Sequence, residues 1–141
     1  MAFVEIIDRS LYQSDANPVV ALRLEALGLR RGVVIDLCGV GPPSVQPSPA
    51  YVQVRAPIAD GPIADPEVLR VLAQMGARSV EGGLTVVSMC EMGRNRSGLL
   101  SAMIVAQLRG VSGTEAMRIV RARNPEAIAN PWFEEFLRGE R

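Results

Sequence analysis

Cys90 is followed by five residues and then by Arg96 and Ser97, in the order Cys-Glu-Met-Gly-Arg-Asn-Arg-Ser-Gly. A β-prone run precedes this stretch and a helix-prone run follows it. A loop at such a junction can turn its backbone N–H groups inward and hold a tetrahedral oxyanion. A thiol that opens the loop is drawn toward the thiolate, the nucleophilic form. Hydrolysis of a phosphate ester needs a strong nucleophile, neutralised oxygens and a protonated leaving group. Cys90 has the chemistry for the first. Arg96 has it for the second, because its planar fork bonds two phosphate oxygens at once. Glu91, Met92, Gly93, Arg94, Asn95 and Arg96 would form the phosphate cradle, with Gly93 letting the backbone turn inward without a side chain in the way. Ser97 can bond the sulfur, calming the thiolate or helping it leave in a second step. The proton donor is sought upstream. Asp60 lies thirty residues before Cys90, on a loop between a strand and a helix, where a carboxylic acid can protonate the departing oxygen and then act as base toward water. Asp65 is the rival, but Asp65-Pro66-Glu67 is better explained as a helix start, so Asp60 is preferred.

Composition narrows the chemistry. There is no histidine, so the usual neutral-pH acid/base is missing and proton transfer falls to Asp, Glu, Cys or Tyr. Two well-separated cysteines, Cys38 and Cys90, make a zinc site or a disulfide framework improbable; no metal and no cofactor are expected. All fifteen basic residues are arginines and the formal net charge is +0. The arginine bias reads as coding in a GC-rich genome, and the balance gives no sign of nucleic acid or an anionic membrane as a bulk partner. No secretory signal and no run of about 18 apolar residues is visible, so the expected setting is the bacterial cytoplasm. The length of 141 residues fits one domain, 1–141.

Elements must position these groups. Strands are expected at Phe3–Ile7, from Leu11-Tyr12, at Val33–Leu37, at Tyr51–Arg55 and at Leu84–Met89, the last apolar enough to be central. Helices are expected from Pro18 to about Leu27, ended by Gly28; from Pro66 to Gly82-Gly83, with Val68, Leu69, Val71, Leu72 and Met75 inward; over Ser97–Leu108; and over Thr114–Arg123, with Ala116, Ile119 and Val120 inward. Asn130 caps a last helix anchored by Trp132, Phe133, Phe136 and Leu137. Gly39–Pro49 reads as a surface loop. The alternation implies an α/β layered domain with a central, mostly parallel sheet of about four to five strands flanked by helices.

Cys90-x5-Arg96-Ser97 followed by an apolar helix resembles the signature of the cysteine-dependent protein tyrosine phosphatases, in their compact dual-specificity branch. Weaker likenesses run along nearly the whole chain: Ser10-Leu11-Tyr12-Gln13-Ser14, Gly32–Leu37, Pro57-Ile58-Ala59-Asp60, and Asn124-Pro125 through Asn130, Phe133 and Leu137. The resemblance implies a phosphorylated substrate, foremost a phosphoprotein, and a two-step mechanism through a phosphocysteine. It carries over Cys90 as nucleophile, Arg96 as phosphate clamp, Ser97 as thiolate partner and Asp60 as general acid/base. Two departures stand out. Met89 replaces the histidine that the family usually has before the cysteine. Glu91 puts an acid at the rim, ill suited to polyphosphorylated inositols, although Arg94 can offset it.

Other readings compete. Cys90 alone would read as a buried core cysteine; its company reverses that. Cys38 reads as structural, with a 38–90 disulfide the minor alternative. Met89, Met92 and Met103 read as packing, and Arg118, Arg121 and Arg123 as a solvated face or dipole partners. Met89 also motivates a phosphate-binding interaction module with little turnover. An RNA 5′-triphosphatase or a phosphoinositide phosphatase of the same superfamily would share the loop, and a rhodanese-like sulfurtransferase also uses a cysteine loop before a helix, but would leave Asp60 without a role.

Overall fold

The computed structural model describes residues 3–16, 24–28, 31–38 and 51–140. Five strands, β1 (Phe3–Ile7), β2 (Leu11–Ser14), β3 (Gly32–Asp36), β4 (Tyr51–Arg55) and β5 (Thr85–Met89), form one sheet in the order β1-β2-β5-β3-β4. Only β1 runs antiparallel to its neighbour; β2, β5, β3 and β4 are parallel. The last strand in sequence, β5, is central, with β2 on one side and β3 on the other. Its near-continuous apolar sequence fits that place, since all five residues are buried.

Among the described residues, helix α1 (Pro66–Glu81) lies between β4 and β5, and α2 (Arg96–Arg109), α3 (Gly113–Arg123) and α4 (Pro131–Gly139) follow β5. The main core lies on the helical face, where Ile35, Leu37 and Val86 meet Leu69, Leu99, Leu100, Ile104, Val120, Phe133 and Leu137. On the opposite face Tyr12, Val34, Tyr51, Val87 and Met89 pack with Leu24. The alternation of Val86 and Val87 between the two faces follows from the two-residue period of a strand.

Helix starts behave as their sequences dictate. Asp65 Oδ1 accepts from the Glu67 and Val68 amides at 3.1 and 3.4 Å, and Asn130 Oδ1 accepts from Trp132 N and Phe133 N at 2.9 and 3.4 Å; a proline follows each cap. The expected helix from Pro18 lies mostly outside the described residues, as does Gly39–Pro49. Residues 24–26 are helical, and Gly28, at φ 76°, ends that turn.

Several inward assignments are corrected. On α1 the buried residues are Leu69, Leu72, Ala73, Gly76 and Ala77, while Val68 and Val71 are exposed. The face is set by how closely α1 approaches α2: a Cβ on Gly76 would lie 2.5 Å from Ile104 Cδ1. Small residues, not the largest apolar ones, make that approach possible. On α3 Met117 is buried and Ile119 only partly so. Trp132 is exposed and does not lock α4; Phe133 and Leu137 do. Met92 is exposed too, whereas Met89 and Met103 are core residues.

Candidate active site

The loop of residues 90–95 leaves the carboxyl end of the central strand, the edge at which open α/β sheets bind ligands. The flanking strands grip its start. Cys90 N donates to Ser14 O at 3.2 Å, and Ala16 N donates to Glu91 O at 3.3 Å. From the other side Leu37 N donates to Met89 O at 2.8 Å. Cys90 is buried, and its Sγ lies 3.1 Å from Ser97 Oγ. Ser97 belongs to the first turn of α2, whose N-terminus no side chain caps. Its orphan N–H groups and the positive end of the helix dipole are left for an anion.

The loop is held from below by two segments remote in sequence, one on β2 and one just after α3. Gly93, at φ 68°, turns the chain; its carbonyl accepts from Gln13 Nε2 at 3.0 Å and from Asn124 Nδ2 at 3.3 Å. The Arg94 carbonyl accepts from Gln13 Nε2 at 3.1 Å and from Ile128 N at 3.2 Å. Ile128 is itself held in the left-handed region at φ 62°, a conformation that costs a β-branched residue about 1–3 kcal/mol and needs enforcement by its surroundings. Arg121 supplies it, donating to Ala127 O, Ile128 O and Glu134 at 3.1, 2.6 and 3.0 Å. Its hydrogen bond holds the Glu134 carboxyl below the usual carboxylate range. Arg121 is thus a strut rather than part of a solvated face; Arg118 and Arg123 do lie at the surface, paired with Glu115 and Asp8.

Arg96 is mostly covered, with its side chain 13% exposed, and its Nη1 donates to Leu37 O and Ile58 O at 3.4 and 3.3 Å. Those two carbonyls anchor one side of the guanidinium. Nη2 lies 3.9 Å from Oε2 of Glu91, which is exposed at the rim. Arg94 Nε pairs with Glu126 at 3.1 Å. Asp60 is exposed, and its two oxygens each accept from an amide, Oδ2 from Asn95 Nδ2 at 3.1 Å and Oδ1 from Asn130 Nδ2 at 2.7 Å. Asn95 Oδ1 in turn accepts from Ala129 N and Asn130 N at 2.8 and 3.2 Å. The Asn95 side chain is therefore a tie between the loop, the Asp60 segment and the start of α4.

Cys90, Ser97, Arg96 and, through Asn95, Asp60 are brought together; Asp65 is spent on its helix cap. Gln13, Asn124 and Asn130 were not singled out as site residues by sequence. Gln13 carried one signal, an uncharged amide inside a short β-prone run; the strand is buried along its whole length. Among the described residues no three of Cys, Asp or Glu gather as a metal site, and no helix is long and apolar enough to cross a membrane.

Solved structures share this architecture. Human DUSP28 superposes with a TM-score of 0.81 at 21% identity over 97% of this chain and 90% of that one. PTPMT1 in complex with PI(5)P gives 0.74 at 16% over 98% and 93%. Human tyrosine phosphatase-like serine/threonine/tyrosine-interacting protein gives 0.78 at 17% over 96% and 92%. No family model matches the chain, and no curated protein matches it by sequence. The chain has the α/β fold of the compact dual-specificity phosphatases.

Proposed function

We propose that residues 1–141 form one phosphomonoester hydrolase domain, a protein tyrosine or dual-specificity phosphatase that works through a phosphocysteine on Cys90. The observation that carries this reading is the buried Cys90 Sγ, 3.1 Å from Ser97 Oγ, at the mouth of a helix that no side chain caps. The sulfur attacks phosphorus, forming the S–P bond as the P–O bond to the leaving group breaks. The Arg96 fork and the loop amides neutralise the phosphoryl oxygens. Asp60 gives its proton to the departing oxygen, and its carboxylate then takes one from the water that attacks the phosphocysteine. Cys90 leaves as thiolate, accepting from the Ser97 hydroxyl, and inorganic phosphate departs. No cofactor enters any step. The exposed Glu91 carboxylate beside Arg96 disfavours polyanionic headgroups, so a phosphoprotein is the favoured substrate over a phosphoinositide.

Aryl phosphate hydrolysis should vanish in Cys90→Ser, and acid quench of Asp60→Ala during turnover should leave a phosphoryl adduct on Cys90. Full activity in Cys90→Ser sinks the mechanism. Met89 supports a second reading, a phosphate-binding module with little turnover: a fully buried thioether brings no acid, base or donor next to the nucleophile. Phosphopeptide binding without any adduct on Cys90 would favour that reading.

A further inference from the structure

We infer that Gln13 is the positioning residue of the loop's anion cradle, an inference that rests on the phosphatase reading for the identity of the anion. Gln13 lies on β2 and is wholly buried. Its Nε2 sits 3.0 Å from Gly93 O, 3.1 Å from Arg94 O and 3.1 Å from Ser97 Oγ. Two carbonyls accept and cannot donate, so only the NH2 end of the amide can face them. Among the described residues the Oε1 end is buried without a hydrogen-bond partner. A glutamine serving the core would be expected to satisfy both ends, because an unpaired buried acceptor is costly. Among the described residues, every hydrogen bond this side chain makes instead goes to the loop and to the residue that touches the sulfur.

The geometry of the peptide group converts those bonds into a cradle. In a trans peptide the C=O and the following N–H point in opposite directions. Drawing the Gly93 and Arg94 oxygens down onto Gln13 therefore aims the N–H groups of Arg94 and Asn95 out of the other side of the loop. Ser97 is set in the same way. An amide nitrogen has no lone pair to offer, so the Ser97 hydroxyl cannot donate to Gln13; its oxygen accepts from the Cys90 thiol at 3.1 Å, and its hydrogen is free for the sulfur once the thiolate forms. Met89 can do neither job, since it packs on the opposite face of the sheet with Tyr12 and Val87. Gly98 leaves the space: a Cβ there would stand 3.2 Å from Gln13 Nε2.

The test compares the wild-type protein with Gln13→Met, a side chain of similar length without donors. Cys90 is alkylated with iodoacetamide in increasing inorganic phosphate, and the half-protecting concentration is read. It should rise about tenfold or more in the variant, with cooperative unfolding retained, and the phosphocysteine should break down more slowly in rapid-quench runs. Equal protection and equal breakdown in the two proteins would overturn the role of Gln13 and leave the phosphatase reading intact. Absence of protection in the wild type would overturn both. Should Gln13→Met fail to fold, the wild type decides by NMR: the Gln13 side-chain NH2 should exchange slowly and shift when phosphate binds, and fast exchange without a shift would overturn the inference.

Discussion

Asn130 does two jobs with one amide, and two substitutions separate them. Its Oδ1 caps α4 while its Nδ2 holds Asp60 Oδ1 at 2.7 Å. Asn130→Ala removes both. Loss of the cap costs about 1 kcal/mol. The bond to Asp60 is charge-assisted, but Asp60 is exposed, so water replaces much of it and about 1 kcal/mol more is a fair ceiling. The sum of about 1–2 kcal/mol should lower Tm by roughly 3–7 °C for a chain of this size. Asn130→Asp keeps the cap, since aspartate caps as well as asparagine and its charge suits a helix N-terminus. It also sets a carboxylate against Asp60, with a repulsion of about 1–4 kcal/mol at 4 Å for a site near the surface. The retained cap is thus offset by the lost bond and the repulsion, and thermal melts should place Asn130→Asp level with Asn130→Ala or below it. Measured well below either Tm, aryl phosphatase kcat should fall about tenfold or more in Asn130→Asp, because general acid–base catalysis is worth about 10²–10⁴ and depends on placement. If folded Asn130→Asp is fully active, Asn130 does not place Asp60 and the reasoning fails.

Arg96→Lys should keep the charge but lose the fork, and phosphate protection of Cys90 should weaken by about tenfold or more. Glu91→Gln should raise kcat/KM for a doubly charged aryl phosphate by about two- to fivefold at low salt, an effect that should fade as ionic strength rises, because the 3.9 Å pair is exposed. Gly113→Ala should lower Tm by 10 °C or about that, since its Cβ would fall 1.9 Å from Leu137 O on the backbone of α4. In a spectrophotometric titration Tyr12 should ionise late: burial, then its hydrogen bond to Glu5, pushes the phenol up to about 12 from 10.0. That contribution to stability is complete below about 10 and lost as pH rises through about 12. A step assignable to Tyr12 near 10 would contradict the burial.

What could be read from the chain was local. The apolar run ending at Met89 placed the central strand, and Asp65-Pro66 and Asn130-Pro131 placed two helix starts through capping chemistry. The spacing of Cys90, Arg96 and Ser97 marked the loop as a candidate site, and Asp60 was preferred to Asp65 because the latter read as a helix cap. The misassignments had a common physical source. On α1, ranking by hydrophobicity chose Val68 and Val71, whereas close helix contact selected Ala73, Gly76 and Ala77. Trp132 and Met92 are large and apolar yet point outward, which no periodicity of a short helix or a loop reveals. Gln13 and Asn124 were invisible as site residues because their partners lie 31 to 84 residues away in the chain. Only the pairing of β2 with β5 and the return of the segment after α3 bring them beneath the loop.

That return gives the site a place in time as well as in space. Cys90 and Arg96 leave the ribosome before most of what holds their loop. Asn124 and Ile128 must still arrive to bind Gly93 and Arg94, and Asn130 to bind Asp60. The bonds of Asn95 to Ala129 and Asn130 span 34 and 35 residues, roughly 2–7 seconds of synthesis at ordinary rates of about 5–20 residues per second. During that interval the chain holds a cysteine and an arginine but no assembled bowl. The nascent protein is thus expected to be inert toward phosphate esters until residue 130 has docked. For the same reason, a truncation just past α2 should silence the site with every residue of the signature intact.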